Sequence, residues 1–578
     1  MSEQTVSTVS EGLSQPMDLH DAIAHLVATD PTFALTDVTL NGIGYKAFRN
    51  CPDSVADLLE RSRPQHEDGA ADYLVFGSER WTYDAFAAEV ARVAEAMQSQ
   101  CGLAQNDRVA IVMRNYPEML VLTLATASIG AVAVFMNAWW TAPELDYALR
   151  DSAPKVVLAD GPRRAAIASL AQHAALPVIG VRDGEDGAVL TYSALRDNGN
   201  AEGPAKVVIA PDDDFAIMYS SGTTGSPKGV VQTHRAAVSA IYSWLMQAAM
   251  APLIAPPGPD DPPVLRHSAL VTTPLFHVTA LFPLFLLSLP AGAKITLMHK
   301  WDATEAIRII QEEEITRFLG VPTQSADLMA ALRQTGQHLP TLRYVGAGGA
   351  KRPAAQVAEL AERFPMALVA TGWGMTETCA LGIGMGGEEY SLRPDAAGRL
   401  HPPVQELRII DDDGNEVPVG ETGEITVKSP AVMRCYLNKP EATAQTVRDG
   451  WLLTGDLGRI DAEGFITILD RKKNIIIRGG ENIACLDVEG ALHRHPDVVE
   501  ACAFAVPHDR LGEVVGAALH LRPGVELTAA DVVAFLQGTI AHYKIPEHIW
   551  CQYEPLPRAS TEKTDRRTIR TRCLGLET

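Results

Sequence analysis

The sequence predicts an α/β protein with a large N-terminal domain and a smaller C-terminal α+β domain, and three features carry that reading. Helical periodicity alternates with short apolar runs through the first part of the chain. Short strands and turns take over at Leu407–Val427, as expected of a small β-rich subdomain. A compact unit of roughly a hundred residues then follows a charged turn at Asp470–Asn474. The chain has 578 residues, 47% of them hydrophobic and 21% charged. That is enough apolar material for two to four structural units of roughly 100–200 residues each.

Taken in order, residues 1–50 read as an N-terminal extension, partly disordered, because the first ~20 are polar with little to bury. They lack the basic start and apolar core of a signal peptide. From Trp81 a helix is expected, with Phe86, Val90, Val93 and Met97 on one face and Thr82 as its cap. Arg108–Met113 reads as a buried strand, Pro117–Ile129 as a helix and Val132–Met136 as a strand. Further strands are expected at Pro154–Ala159, Thr316–Leu319 and Leu342–Val345. Ala251–Pro263, rich in proline and acidic, reads as an exposed loop. The most apolar stretch, Val278–Ala293, is short for a membrane span and is interrupted by Pro283 and Pro290, so it reads as buried core. Residues 51–470 are taken as the main domain, 471–474 as a hinge and 475–578 as the C-terminal domain. The last has strands at Ala501–Val506 and Val514–Leu521 and a helix at Ala529–Leu536 capped by Thr528.

The formal net charge is −22, which argues against nucleic acid or anionic lipid as a bulk partner. The eight cysteines are scattered and form no CxxC pair, so a disulfide framework or zinc site is not expected and a cytoplasmic setting is.

The chemistry is concentrated in Tyr219–Val230, YSSGTTGSPKGV. Small residues let backbone N–H groups approach an anion, Ser and Thr add donors, and Lys228 adds charge; a polyphosphate is the natural guest. A Walker loop would place Gly-Lys-Ser/Thr at the start of a helix. Here Gly229 follows Lys228 and VVQTH reads as a strand, so the loop joins strand to strand.

This segment resembles the signature loop of the adenylate-forming superfamily, and five further motifs in the expected order extend the resemblance over roughly Asp53–Arg567. The resemblance identifies the chain as similar to AMP-forming acyl-CoA synthetases of the fatty-acid–CoA ligase family. It implies that ATP is bound by Ser220, Ser221, Gly222, Thr223, Thr224, Gly225 and Lys228. In TGWGMTE, Gly372 would line the site, Trp373 would pack against adenine, Thr376 would meet the α-phosphate and Glu377 would hold Mg²⁺, a hard cation shared with phosphates. Asp456, in TGD, and Arg471, in DRKKN, would contact the ribose. GETGEI, Gly420–Ile425, is a further match of structural kind. Lys473 falls at the hinge about which the small domain would be mobile. Lys563 matches the adenylation lysine, where a cation over carboxylate and phosphate lowers their repulsion. Glu562, before it, departs from the usual glycine, and Ala484 and Cys485 depart from an aromatic-Pro pair. His277, in PLFHVTALF, would stand at the inner wall of the acyl pocket and act with the catalytic set. Thr279, Phe282, Gly346, Gly348, Gly372 and Gly382 would complete that pocket, and Gly479 and Gly480 would line the passage for coenzyme A.

The implied reaction consumes ATP, Mg²⁺, coenzyme A and a carboxylic acid. PLFHVTALFPLF offers no carboxylate to hold an amino acid's ammonium group, and small pocket residues leave volume for an apolar tail. The expected acid is therefore a medium- or long-chain fatty, aryl-alkanoic or steroid side-chain acid. Three alternatives stay open at this point: an acyl-AMP ligase loading a carrier protein, a luciferase-like oxygenating enzyme, and a binding protein slowed by Glu562. A homodimer is one option for assembly.

Overall fold

The computed structural model describes residues 16–66, 71–220, 227–258, 264–401, 403–559 and 563–576. Two large sheets organise the main domain. The first runs in the order Cys435–Tyr436, Lys228–Thr233, Asp214–Ser220, Val132–Phe135, Arg108–Val112, Val156–Ala159, Val178–Gly180, Leu190–Thr191. The second runs Arg399–Leu400, Gly382–Gly386, Leu368–Gly374, Tyr344–Gly348, Arg317–Gly320, Ser268–Val271, Lys294–Leu297, Asp72–Phe76, Glu79–Thr82. Both are parallel at their centres and antiparallel towards an end. The central strands are apolar on both faces, as a parallel sheet covered by helices requires.

Helix Pro117–Ser128 begins with proline at its first turn and is buried through residue 127 on every side, as a helix without a polar stripe must be. Helix Tyr83–Ser99 turns Phe86, Val90, Val93 and Met97 inward, and Thr82 caps it by accepting the Ala85 N–H. Helix His234–Ile254 is long and apolar enough by length and composition to cross a bilayer. It instead lies within the fold, with Ala237, Ile241, Met246 and Met250 buried in the main core.

One expectation changes. The stretch read as a loop from Ala251 is helical to Ile254, with Pro252 inside the helix; the last turn still closes through the Ala255 N–H on the Ala251 carbonyl, so the proline removes only one bond near a terminus. Residues 259–263 lie outside the described residues. In the N-terminal extension, Asp18 caps helix Leu19–Thr29. Leu35–Leu40 and Ile43–Phe48 then pair across Asn41 and Gly42, both at positive φ, as a two-residue hairpin demands. This unit binds the main domain: Met17 N–H donates to Leu253 O, and the Phe48 and Tyr242 rings lie 5.8 Å apart.

A smaller sheet of Glu406–Ile410, Gly423–Lys428, Trp451–Ile460 and Ile466–Arg471 follows, with Val447–Arg448 at its edge. Its last strand ends in a single 3₁₀ turn, Lys472–Asn474. Beyond lies the C-terminal sheet, whose long hairpin Val498–His508/Gly512–Leu521 packs helices Cys485–Leu492 and Ala529–Leu536 over one core. Asp470 bridges the junction: it accepts N–H groups from Arg471 and Leu486 and the amide of Asn474.

Candidate active site

A cavity of about 900 Å³ opens where the two large sheets, the small sheet and the C-terminal domain meet. One end of the cavity, where the phosphates are expected, is set by the hairpin Asp214–Ser220/Lys228–Thr233, which closes on the pair Ser220–Lys228; both residues line the cavity. The loop thus joins strand to strand. Ser221, Gly222, Thr223, Thr224 and Gly225 lie outside the described residues. The Lys228 ammonium stands 4.6 Å over the Tyr436 ring.

Thr376 and Glu377 are pinned from behind. The carbonyl of Thr376 accepts Gln232 Nε2 at 2.7 Å, that of Glu377 accepts the Met433 N–H at 2.7 Å, and Tyr436 Oη donates to Glu377 Oε1 at 2.8 Å. Glu377 is only 7% exposed, so one aimed carboxylate faces the cavity. A single hard oxygen donor beside a phosphate-sized space suits Mg²⁺, which takes most of its ligands from phosphate and water.

Asp456 and Arg471, the pair expected at the ribose, form one network with Trp373; Trp373 and Arg471 line the cavity. Asp456 and Arg471 face each other in adjacent strands; Arg471 Nε lies 3.0 Å from Asp456 Oδ1, and Trp373 Nε1 donates to Asp456 Oδ2 at 2.8 Å. Burial raises the Asp456 carboxyl above its ordinary value, and Arg471 and Trp373 oppose that rise. The Trp373 indole is thereby oriented by the same carboxylate that the sequence assigns to the ribose.

Lys563 enters from the C-terminal domain and its side chain lies against Gly349: a Cβ there would stand 2.6 Å from Cε and 3.0 Å from Nζ. Its approach is fixed by a short bridge, Arg558 with Thr564, and by the Ala559 N–H on the Lys563 carbonyl. Burial and Arg471 lower the Lys563 ammonium to about 8, against the pull of Asp456. Lys473 also lines the cavity and is lowered to about 8 by burial and Arg471. His277, beside Lys563, is pushed down to about 3, mainly by burial, and is neutral. Among the described residues Lys228, Lys473 and Lys563 have no ion-pair partner. Three such ammonium groups around one cavity make it a receptor for a polyanion. Glu562 lies outside the described residues.

The part of the cavity where the acyl pocket is expected is a slot between a sheet face and a helix. Leu319, Gly348, Ala370, Gly372, Gly382, Gly384 and Gly386, on adjacent strands, line it, with Val321 just past its strand. Trp244, Gln247, Ala248 and Ala251, spaced 3, 4 and 7 apart on one helix, form the opposite wall. His277 and Thr279 stand at its inner end.

Two assignments are corrected. Phe282 is fully buried, edge-on to Phe215 at 6.5 Å; the turn Leu281–Leu286 presents Pro283 and Leu287, one helical turn apart, to the cavity instead. Gly346 does not line the cavity, because the Tyr344 ring folds over it, and a Cβ there would meet Tyr344 Cε1 at 2.4 Å. Gly479 and Gly480, the residues expected along the coenzyme A passage, form the tip of the hairpin Ile475–Arg478/Glu481–Ala484, at φ 59° and 95°, and do not line this cavity. Tyr436, Gly349, Gln247, Arg317 and Tyr344 were not singled out from sequence. Each lies on a strand, helix or loop with no local motif, and only strand register or helix phase could have found them.

This geometry is that of an adenylate-forming enzyme, and the comparisons agree. The AMP-binding enzyme family matches residues 60–437 and the AMP-binding enzyme C-terminal domain matches residues 487–563, so the chain belongs to that family. It is 33% identical to the indoleacetate–CoA ligase of Aromatoleum aromaticum over 85% of this chain and 92% of that one. It is equally 33% identical to a long-chain-fatty-acid–CoA ligase of Mycobacterium tuberculosis, over 85% and 93%. Among solved structures, ATP-bound MatB from Rhodopseudomonas palustris superposes with a TM-score of 0.79 at 29% identity, covering 89% of this chain and 98% of that one. The protein is an AMP-forming acid–CoA ligase that uses ATP, Mg²⁺ and coenzyme A.

Proposed function

We propose that this ligase activates a hydrophobic carboxylic acid, of the medium- or long-chain fatty, aryl-alkanoic or steroid side-chain class. The observation that carries the reading is the seat of Lys563, on Gly349, between the Asp456–Arg471 ribose network and the glycine-walled slot. A carboxylate at the inner end of that slot meets a cation where it must attack a phosphate.

Two steps follow. A carboxylate oxygen attacks the α-phosphorus, the bond to pyrophosphate breaks, and Lys563 and Lys228 stabilise the accumulating charge. Glu377 would hold Mg²⁺, which when bound neutralises the phosphates. The small domain then turns about Lys473, Lys563 withdraws, and Gly479 and Gly480 come to flank the pantetheine arm. The thiolate attacks the acyl carbon, the bond to AMP breaks, and the thiol proton passes to solvent. The hydrophobic class is supported by Leu287, Leu319, Val321 and Trp244 in the slot, where each buried methylene contributes ~0.8 kcal/mol. The eight unpaired cysteines accord with a cytoplasmic setting.

Mass spectrometry of the purified protein with ATP, Mg²⁺, coenzyme A and a panel of such acids tests this. Acyl-CoA with AMP is expected. Acyl-adenylate without thioester points to a carrier-protein acceptor, and oxygen uptake to luciferase-like chemistry; either refutes the reading.

A further inference from the structure

The far end of the acyl slot is not hydrocarbon. Strand register places Arg317 level with Tyr344, four residues before Gly348 along the same sheet face, or roughly 13 Å from the catalytic end at the usual strand rise. Arg317 lines the cavity with its guanidinium 3.8 Å over the Tyr344 ring centroid, and its Nε is buried without a hydrogen-bond partner. No described carboxylate pairs with it. Gln247 Nε2, on the facing helix, is likewise buried without a partner. Behind this end lies Arg352, 1% exposed, with all three guanidinium nitrogens unpartnered and Tyr344 and Tyr390 as its nearest titratable neighbours. A guanidinium stays charged at any physiological pH, and burying one without an acceptor is costly. The slot therefore presents an apolar middle and, at its end, an uncompensated positive field with free donors.

We infer that the acid carries a second carboxylate at the end remote from the one activated, and that Arg317 recognises it. The substrate class is then an α,ω-dicarboxylic acid, or a ring-bearing acid with a remote carboxylate, whose middle is apolar. This rests on the ligase reading. Arg317 is a specificity residue and takes no part in the chemistry.

The test compares decanoate with decanedioate in the wild-type enzyme and in Arg317→Met and Arg317→Lys. Acyl-CoA formation gives kcat/KM for each acid, and equilibrium titration gives Kd without turnover. A hydrogen-bonded charge pair of this kind is worth roughly 10–100-fold. The wild type should prefer the diacid by that factor in kcat/KM and in Kd. Arg317→Met should abolish the preference, lowering kcat/KM and raising Kd for decanedioate relative to decanoate by that factor, and Arg317→Lys should restore part of it. Preference for decanoate in the wild type, with a ratio unmoved by Arg317→Met, overturns the inference and leaves the ligase intact. Absence of thioester from every acid overturns the ligase reading instead, and the Kd ratio still decides the role of Arg317. Retained thermal unfolding behaviour in both variants excludes misfolding as the cause.

Discussion

Replacing Gly349 by alanine should disable adenylation specifically, by displacing the lysine that lies against it. The new Cβ would stand 2.6 Å from Lys563 Cε, about 0.8 Å inside the ordinary contact distance of 3.4 Å. Gly349 has φ +77°, where a side chain costs about 1–2 kcal/mol, so the loop cannot absorb the clash without further strain. The lysine must retreat by nearly 1 Å, and misplacement on that scale costs about 100-fold in rate. Pyrophosphate–ATP exchange reads the adenylation half; thioester formation from preformed acyl-adenylate reads the other. Exchange should fall about 100-fold in Gly349→Ala and thioester formation much less. Gly348→Ala is the control, since its Cβ meets only the Gly372 carbonyl at 3.6 Å. In a Lys563→Ala background, Gly349→Ala should cost almost nothing further, because the contact it disturbs is gone. Equal losses in Gly348→Ala and Gly349→Ala, or full additivity with Lys563→Ala, would refute the reasoning.

Three other predictions follow from the same geometry. Lys563, lowered to about 8, must be charged to act, so exchange should fall roughly tenfold per unit as pH rises above about 8; Lys563→Arg, whose guanidinium keeps its proton, should lose that alkaline limb although Lys473 titrates nearby, measured between about pH 6 and pH 10. Tyr436→Phe removes the hydroxyl that donates to Glu377 and should raise the Mg²⁺ concentration for half-maximal exchange about tenfold, as read by Mg²⁺ titration. Arg352→Met replaces a buried, unpartnered charge with an apolar chain of similar reach; urea unfolding should show unchanged stability or a gain of about 1–4 kcal/mol, together with a weaker preference for decanedioate.

The strand-to-strand loop, TGWGMTE, TGD and DRKKN were legible as contiguous motifs, and Lys563 by its place in the C-terminal motif; the structure brings residues of each to one cavity. Strands such as Arg108–Val112 and Val156–Ala159 were legible because both faces are apolar. What escaped was the third dimension of the slot. Whether Phe282 or Pro283 faces the cavity depends on the phase of one turn, and an apolar residue satisfies either side equally. Gly346 and Gly348 look alike in sequence, yet only the side chain of Tyr344 decides that one is covered and the other open. Arg317 carries no motif; its meaning comes from a register partner 27 positions away. The docking of residues 19–48 escaped because nothing local marks its partner, the far-off helix His234–Ile254.

The glycine-walled face of the slot has a consequence for how such an enzyme changes its diet. At Gly382 and Gly346 a methyl group would collide with the Trp373 carbonyl at 2.1 Å or the Tyr344 ring at 2.4 Å, so these positions are held by the fold. At Gly348 and Gly372 it would meet only a carbonyl oxygen, at 3.6 and 3.7 Å, with no left-handed φ to forbid it. A glycine codon becomes an alanine codon by one base change. The same scaffold can thus be shortened for smaller acids a methyl at a time, from inside the slot, while the Asp456–Arg471 pair and Lys563 stay as they are.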